Sequence, residues 1–236
     1  MSGVVVSDAQ QRQVRVAARA LAKAGLVHAY GHCSMRLDAD HFLVCAALPM
    51  GLIEPKQPGV VVPVHSALPD GVLGEVRIHQ QIYQRRPDVG AVIRSMPPHV
   101  MTLSCAGLTP QSRHGLGSYF HSSIPLWDDP QLLRDDDQAA ALADQLAGSP
   151  ALVMRGNGAI VVGASLVEAV TLNWYLEDAA RIELQLHAAG LASRLPSLSK
   201  EQTLKRATST GRIYERMWDY LTAGDSEAVE AAHQEK

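Results

Sequence analysis

The stretch whose reading decides the fold is Asp88-Val-Gly-Ala-Val-Ile-Arg94-Ser-Met96-Pro97-Pro98. Ala91 to Met96 has strand character, and neither a helix nor a central strand can cross the double proline behind it. Strand residues two apart share a face, so Arg94 and Met96 point the same way. An arginine beside Ala91, Val92 and Ile93 is costly to bury without a partner. Arg94 is therefore read either as half of an internal ion pair, with Glu75 or an aspartate, or as the binder of a substrate carboxylate. Upstream, Glu75-Val-Arg-Ile-His79-Gln-Gln-Ile-Tyr83 reads as a helix with Glu75 and His79 on one side, four residues apart. Downstream, Met154-Arg-Gly-Asn157-Gly158 is a tight turn between two apolar runs. These three pieces are expected to form one site.

The rest of the chain suits a single α/β domain over residues 1–236. Hydrophobic residues make up 47% and charged residues 19%, and the net charge of -3 leaves no basic footprint for nucleic acid or a membrane surface. Gln10 to Arg19 is too polar for a signal peptide, and no apolar run approaches the roughly 18 residues of a spanning helix. Cys33, Cys45 and Cys105 are odd in number and lack metal-ligand spacing, as expected of reduced thiols in a cytoplasmic protein.

In order, Ser7-Asp-Ala-Gln10 is a capping box that opens a helix to about Ala24, stopped by Gly25. His32-Cys-Ser34 reads as a polar loop leading into a hairpin of Met35–Leu37 with Phe42–Ala46, and Val60–Val62 as a third strand. A short helix from about His99 to Ala106 follows the Arg94 strand. Residues Thr109 to Asp129 are irregular, which in a compact domain often marks function. Asp135 to Leu146 is helical, Leu152–Met154 and Ala159–Val162 are strands, and Ser165-Leu-Val-Glu168 caps a long helix to Ala189. A final helix is expected over about 200–221, with a polar, frayed tail after Gly224.

Several landmarks together resemble the class II aldolase/adducin family, from about Val14 to Ala189. They are Ala20-Leu-Ala-Lys-Ala-Gly-Leu26, Gly31-His-Cys-Ser-Met-Arg36, Glu75-x-x-x-His79-x-x-Ile82-Tyr83-x-x-Arg86-Pro87-Asp88-Val89, Ala91-Val-Ile-x-x-x-Pro97-Pro98 and Gly158-Ala-Ile-Val-Val-Gly163. The resemblance implies an α/β/α sandwich around a mixed, mostly antiparallel sheet, and a homo-oligomer, often a fourfold tetramer with sites between subunits.

The site departs from the family. Its metal-dependent members carry His-x-His where this chain has Arg94-Ser95-Met96, and a third histidine where it has Asn157. Arginine keeps its proton and a thioether is a poor ligand for a hard divalent ion. No zinc or other cofactor is therefore expected at these positions, and a metal is open only at a rearranged set such as His32, Glu75 and His114. Leu73-Gly74 replaces the family's paired serines, which disfavours a sugar phosphate.

Glu75 is retained at the family's catalytic carboxylate. An enzyme with that carboxylate and no metal suits a substrate that supplies its own electron sink, such as a β-keto acid losing carbon dioxide. Arg94-Ser-Met-Pro-Pro, Arg113-His-Gly, Pro125-Leu-Trp-Asp-Asp and Arg155-Gly-Asn-Gly are most similar to decarboxylases of aromatic meta-cleavage pathways. Those act on acids of the 2-hydroxy-3-carboxymuconic semialdehyde type, and the 3,4-dihydroxyphthalate decarboxylases are near relatives. The expected partner is a small-molecule carboxylate. Glu75 and His114, the latter a candidate general acid, are the expected catalytic groups, with His32, His79, Arg94 and Asn157 as binding residues. His79 is also readable as a scaffold residue, Asn157 as the positive-φ residue of its turn, and Met96 as pocket wall. Two other readings stay open: a metal-dependent aldolase or dihydroxyphthalate decarboxylase, and a non-catalytic interaction module like adducin.

Overall fold

The structure, a computed structural model, describes residues 4–121 and 123–228. Its centre is a seven-stranded sheet formed by β1 (His32–Arg36), β2 (His41–Val44), β3 (Val60–Pro63), β4 (Ala91–Ser95), β5 (Leu126–Trp127), β6 (Ala151–Met154) and β7 (Gly158–Gly163). Their spatial order is β3-β2-β1-β4-β7-β6-β5. Every pairing is antiparallel except β5 with β6. The mixed, mostly antiparallel sheet is the one expected.

Among the described residues the α-helices of the core are α1 (Asp8–Lys23), α2 (Arg77–Arg85), α3 (Pro98–Cys105), α4 (Asp136–Leu146), α5 (Leu166–Ala188), α6 (Lys200–Arg206) and α7 (Ile213–Thr222). Period-two alternation on β4 decides which helices cover which face. Ala91 and Ile93 pack with Val14, Ala18 and Leu21 of α1 and with Ala169 and Val170 of α5. On the opposite face Val92 packs with Ile78, Ile82 and Tyr83 of α2 and with Ala139, Leu142 and Leu146 of α4. α3 and α5 cover β6 and β7. Helices thus lie on both faces, giving the three-layer sandwich. Each fully buried aliphatic side chain contributes about 1.5–3 kcal/mol, enough in sum to carry one charged residue, Arg94, at the end of the central strand. No helix among the described residues is long and apolar enough to cross a membrane.

Local chemistry accounts for most boundaries. Ser7 and Gln10 form the reciprocal capping box, with Ser7 Oγ accepting from the Gln10 amide and Gln10 Oε1 accepting from the Ser7 amide. Ser165 caps α5 in the same way, but the Glu168 carboxylate accepts from the Ala164 amide, one residue earlier than a capping box requires.

Four expectations are corrected. β1 begins at His32, so His32 is a strand residue and not a loop residue. Glu75 lies in a 3-10 turn, Gly74–Val76, ahead of α2, because Leu73 and Gly74 offer no side chain to cap a longer helix. The last helix is two helices, broken where Thr208 and Thr210 bond to each other and Gly211 and Arg212 take positive φ. The tail after Gly224 is docked as far as it is described. Arg19 donates to both carboxylate oxygens of Asp225 at 2.6 and 2.9 Å, and Arg15 donates to Glu227 at 2.6 Å. The remainder of that tail lies outside the described residues. The irregular stretch after Thr109 contains a 3-10 turn, Gly117–Phe120, and β5.

Candidate active site

Arg94 follows Val92 on the face of β4 covered by α2. Its side chain is the largest among the fully buried ones, although the residue as a whole retains 2% exposure. Three segments converge on it. His32 of β1 lies directly opposite it across the ladder. Asn157 of the β6–β7 turn accepts from Arg94 Nη2 at 2.7 Å. Glu75 places Oε2 3.3 Å from Arg94 Nε.

Two glycines permit the approach. A Cβ on Gly158 would lie 2.0 Å from the Ser95 carbonyl oxygen, and its φ is +90°. A Cβ on Gly31 would lie 3.0 Å from the Arg94 carbonyl oxygen. Without a side chain at either position, the flanking segments close on β4 and bring His32 and Asn157 to Arg94. The left-handed residues of the turn are Gly156 and Gly158, so backbone conformation does not explain Asn157. Its hydrogen bond to Arg94 does.

Arg94 therefore has the internal carboxylate partner that the sequence left open. Burial pulls its pKa down and Glu75 partly offsets that pull; the guanidinium stays protonated. Hydrogen-bonding capacity remains after these contacts. Arg94 Nε, Asn157 Nδ2, Glu75 Oε1 and His32 Nε2 are all buried without a protein hydrogen-bond partner. Buried polar atoms are nearly always satisfied, so these open positions around one guanidinium are ones that water or a ligand can fill. Three can donate or are donors, and Glu75 Oε1 accepts.

His79 turns away from Glu75. Its Nε2 lies 2.8 Å from His32 Nδ1, and its Nδ1 lies 2.7 Å from Ser34 Oγ. Ser34 Oγ continues to the Tyr83 hydroxyl at 2.9 Å. Burial pushes the His79 pKa down to about 3. Burial, then His79 and Arg94, depress His32 well below its ordinary value. Ser34 and Tyr83 were not singled out in the sequence. The signal was there: Ser34 is two residues from His32 on a strand, and Tyr83 is four from His79 on a helix.

His114 is not brought into this cluster. Its Nε2 bonds Asp178 Oδ2 on α5 at 2.8 Å, and α5 covers the opposite face of β4. The neighbouring Arg113 is bound to Glu183 of the same helix, pinning the segment there. A same-chain site built from His32, Glu75 and His114 does not form, and no group of three His, Cys, Asp or Glu side chains with metal-binding geometry occurs among the described residues. Met96 is part-buried at the mouth of β4, its amide donating to Leu26.

The β3-β2-β1-β4-β7-β6-β5 sheet with helices on both faces is the class II aldolase fold. An L-fuculose 1-phosphate aldolase from Glaciozyma antarctica PI12 matches 94% of each chain with a TM-score of 0.74 and 19% identity. An aldolase II superfamily protein from Pseudomonas syringae matches 92% of each with a TM-score of 0.73 and 24% identity.

The chain belongs to the class II aldolase and adducin family, whose N-terminal domain model matches residues 12–184. Its relatives include a decarboxylase from Talaromyces stipitatus, 27% identical over 67% of this chain and 69% of the relative. A 3,4-dihydroxyphthalate decarboxylase from Arthrobacter keyseri is 25% identical over 75% of this chain and 78% of its own length. The corresponding Terrabacter enzyme is 26% identical over 77% and 83%. The metal of the family's metal-dependent members does not fit here. Arg94, Met96 and Asn157 offer a fixed cation, a soft thioether and a neutral amide, and Arg94 would repel a divalent ion.

Proposed function

We propose that this protein is a carboxy-lyase that removes carbon dioxide from an oxygenated acid of aromatic catabolism, without a divalent metal. The observation that carries the reading is the position of the Arg94 guanidinium, between Glu75 and Asn157, where the family's metal-dependent members gather metal ligands. Arg94 supplies positive charge but no open coordination position. That combination suits a reaction needing charge stabilisation and no Lewis acid.

In decarboxylation the carbon–carbon bond breaks and its electron pair stays on the substrate. A conjugated carbonyl takes the pair up as an enolate, carbon dioxide leaves, and a proton ultimately drawn from solvent completes the product. Preorganised donors aimed at the oxygen that gains charge lower the barrier. Arg94 and Asn157 Nδ2 are such donors. Glu75 Oε1 accepts from a substrate hydroxyl, holding it beside the carboxylate to be lost.

Two substrate types fit this donor and acceptor set. One is a ring-fission acid of the 2-hydroxy-3-carboxymuconic semialdehyde type. The other is a dihydroxylated aromatic acid, favoured by the relatives named 3,4-dihydroxyphthalate decarboxylase. There the proton adds first to the carbon bearing the carboxylate, and the dienone so formed takes up the pair as carbon dioxide leaves and the ring regains aromaticity. Carbon dioxide release from both should be assayed with and without chelator. The expected result is turnover of at least one, unchanged by chelation. Activity abolished by chelator and restored by a divalent ion would overturn the metal-free part. Turnover of neither substrate would count against the reaction.

A further inference from the structure

The polar chain beneath the site joins two unlike ends. At one end His32 Nε2 has no protein partner, on an imidazole that lines a small cavity with Val72, Leu73 and Val76, the residues flanking Glu75. At the other end is the Tyr83 hydroxyl, on a residue 2% exposed, with Ser34 Oγ as its hydrogen-bond partner. Among the described contacts Ser34 Oγ is the one acceptor for the Tyr83 hydrogen, and the Arg36 guanidinium over the ring only donates.

Each contact along the chain holds one hydrogen and a hydroxyl oxygen can accept two, so with neutral rings there are three self-consistent arrangements. In the first, Tyr83 donates to Ser34, Ser34 donates to His79 Nδ1, and His79 Nε2–H donates to His32 Nδ1. The proton of His32 is then on Nε2. In the second, every donation reverses, His32 carries its proton on Nδ1, and the buried Tyr83 hydrogen is left without an acceptor. In the third, Ser34 accepts from both Tyr83 and His79 Nδ1–H, His32 again carries its proton on Nδ1, and the buried Ser34 hydrogen is left without an acceptor among these contacts. Only the first arrangement places every hydrogen.

We propose that Ser34, which receives the Tyr83 hydrogen and gives its own to His79, fixes His32 as the Nε2–H tautomer, so that a neutral imidazole presents a hydrogen-bond donor to the ligand. Tyr83 and Ser34 are positioning residues, since neither touches the ligand. With the low pKa of both imidazoles, the donor persists through the neutral range without adding a charge beside Arg94. The donor face of the site is then His32 Nε2–H, Arg94 and Asn157 Nδ2, against the single acceptor Glu75 Oε1. A ligand that complements it has neighbouring acceptor oxygens and one hydroxyl, as a hydroxy acid with a conjugated carbonyl does. In this role His32 donates a hydrogen bond to the oxygen that gains charge and keeps its proton. That use rests on the decarboxylase reading; the tautomer does not.

The test is nitrogen NMR of the full chain labelled with 15N-histidine, without ligand, at neutral pH. His32 and His79 should each show a protonated Nε2 and a bare Nδ1. Tyr83→Phe leaves the Ser34 hydrogen on His79 Nδ1 and should keep the Nε2–H form. Ser34→Ala removes the hydroxyl that donates to His79 Nδ1 and should move His32 toward a mixture with the Nδ1–H form in a folded protein. It should also lower kcat by about tenfold, the loss of roughly one hydrogen bond in the transition state, with little change in KM. A His32 carrying Nδ1–H or a full imidazolium in the wild type would overturn the inference. So would an unshifted tautomer in folded Ser34→Ala. A shifted tautomer with unchanged turnover would overturn the use of His32 as donor. If Ser34→Ala does not fold, the wild-type spectrum decides alone. These spectra need no substrate, so failure of the decarboxylase reading would appear separately as absent turnover.

Discussion

Arg94 is 2% exposed and carries a full charge, so the groups facing it must offset its lost hydration. Glu75 and Asn157 do so, and Glu75 remains hydrated in part, its side chain 21% exposed. Replacing Arg94 with Met removes the charge and leaves Glu75 unpaired. Partial hydration of Glu75 limits the damage, and a loss of about 1–3 kcal/mol is expected in urea unfolding. Turnover should fall by about two orders of magnitude or more, the scale of one charge-assisted interaction in the transition state. Near-normal turnover in the folded variant would remove Arg94 from the mechanism. Arg94→Lys keeps a point charge but loses the planar fork and its bond geometry to Asn157, so it should recover little. The buried imidazoles make a separate prediction about pH. Unfolded histidine takes a proton near 6.5, whereas folded His79 resists until about 3. Between these values the unfolded chain binds more protons, so this contribution is full above about pH 7 and declines as pH falls, by about 1.4 kcal/mol per unit for each such group. His32 is shifted in the same direction. Urea midpoints at pH 7.5, 6 and 5 should decline accordingly, and His79→Gln should flatten the decline by about one proton. A slope unchanged by that substitution would mean His79 is not held neutral.

At the scale of elements, the site depends on how closely the β6–β7 turn can approach β4. Gly158→Ala would put a methyl 2.0 Å from the Ser95 carbonyl oxygen at a φ of +90°. The backbone must move, taking Asn157 away from Arg94. A stability loss of about 3 kcal/mol or more and a large fall in activity are expected, read by thermal melting and turnover. A Gly158→Ala variant as stable as wild type would mean the turn adapts without strain. Such close approaches were only partly legible in the sequence. Arg94, Glu75 and Asn157 could be grouped because each sits in a family motif, and strand alternation gave the face of Arg94. His114 could not be placed, because nothing local indicates that Asp178, 64 residues on, captures it. The final helix was read as continuous because its apolar spacing resumes after the Thr-Ser-Thr-Gly211 break; only the competing hydroxyls and the glycine mark the interruption. The tail looked frayed because Asp225 and Glu227 are polar. Their partners, Arg15 and Arg19, lie some 200 residues earlier on α1, and polarity alone cannot reveal such a pairing.

At the scale of the whole molecule, a group of exposed apolar side chains lies beside the site. Tyr30 and Leu52 are each 69% exposed, and Leu48 is also exposed. Gly31 packs toward Met50, so Tyr30 and the Leu48–Leu52 segment lie next to one another, a residue or two from His32. Scattered exposed apolar residues need no explanation, but a group of them bordering a site is what a subunit contact covers. We therefore extend the proposal to a homo-oligomer, a tetramer by family resemblance, in which this edge meets a neighbouring copy. Sedimentation at micromolar concentration should show a tetramer. Tyr30→Ser combined with Leu52→Ser should shift it toward smaller species, since each large apolar side chain removed costs about 1.5–3 kcal/mol of burial per contact. Neither residue belongs to the Arg94 cluster, so the dissociated double variant should keep its fold and its His32 tautomer. If its activity also persists, the site is complete within one chain. If activity falls in step with dissociation, and returns at high protein concentration, a neighbouring copy supplies part of the site. A stable wild-type monomer would sink the assembly outright, and Tyr30 and Leu52 would then be ordinary exposed residues.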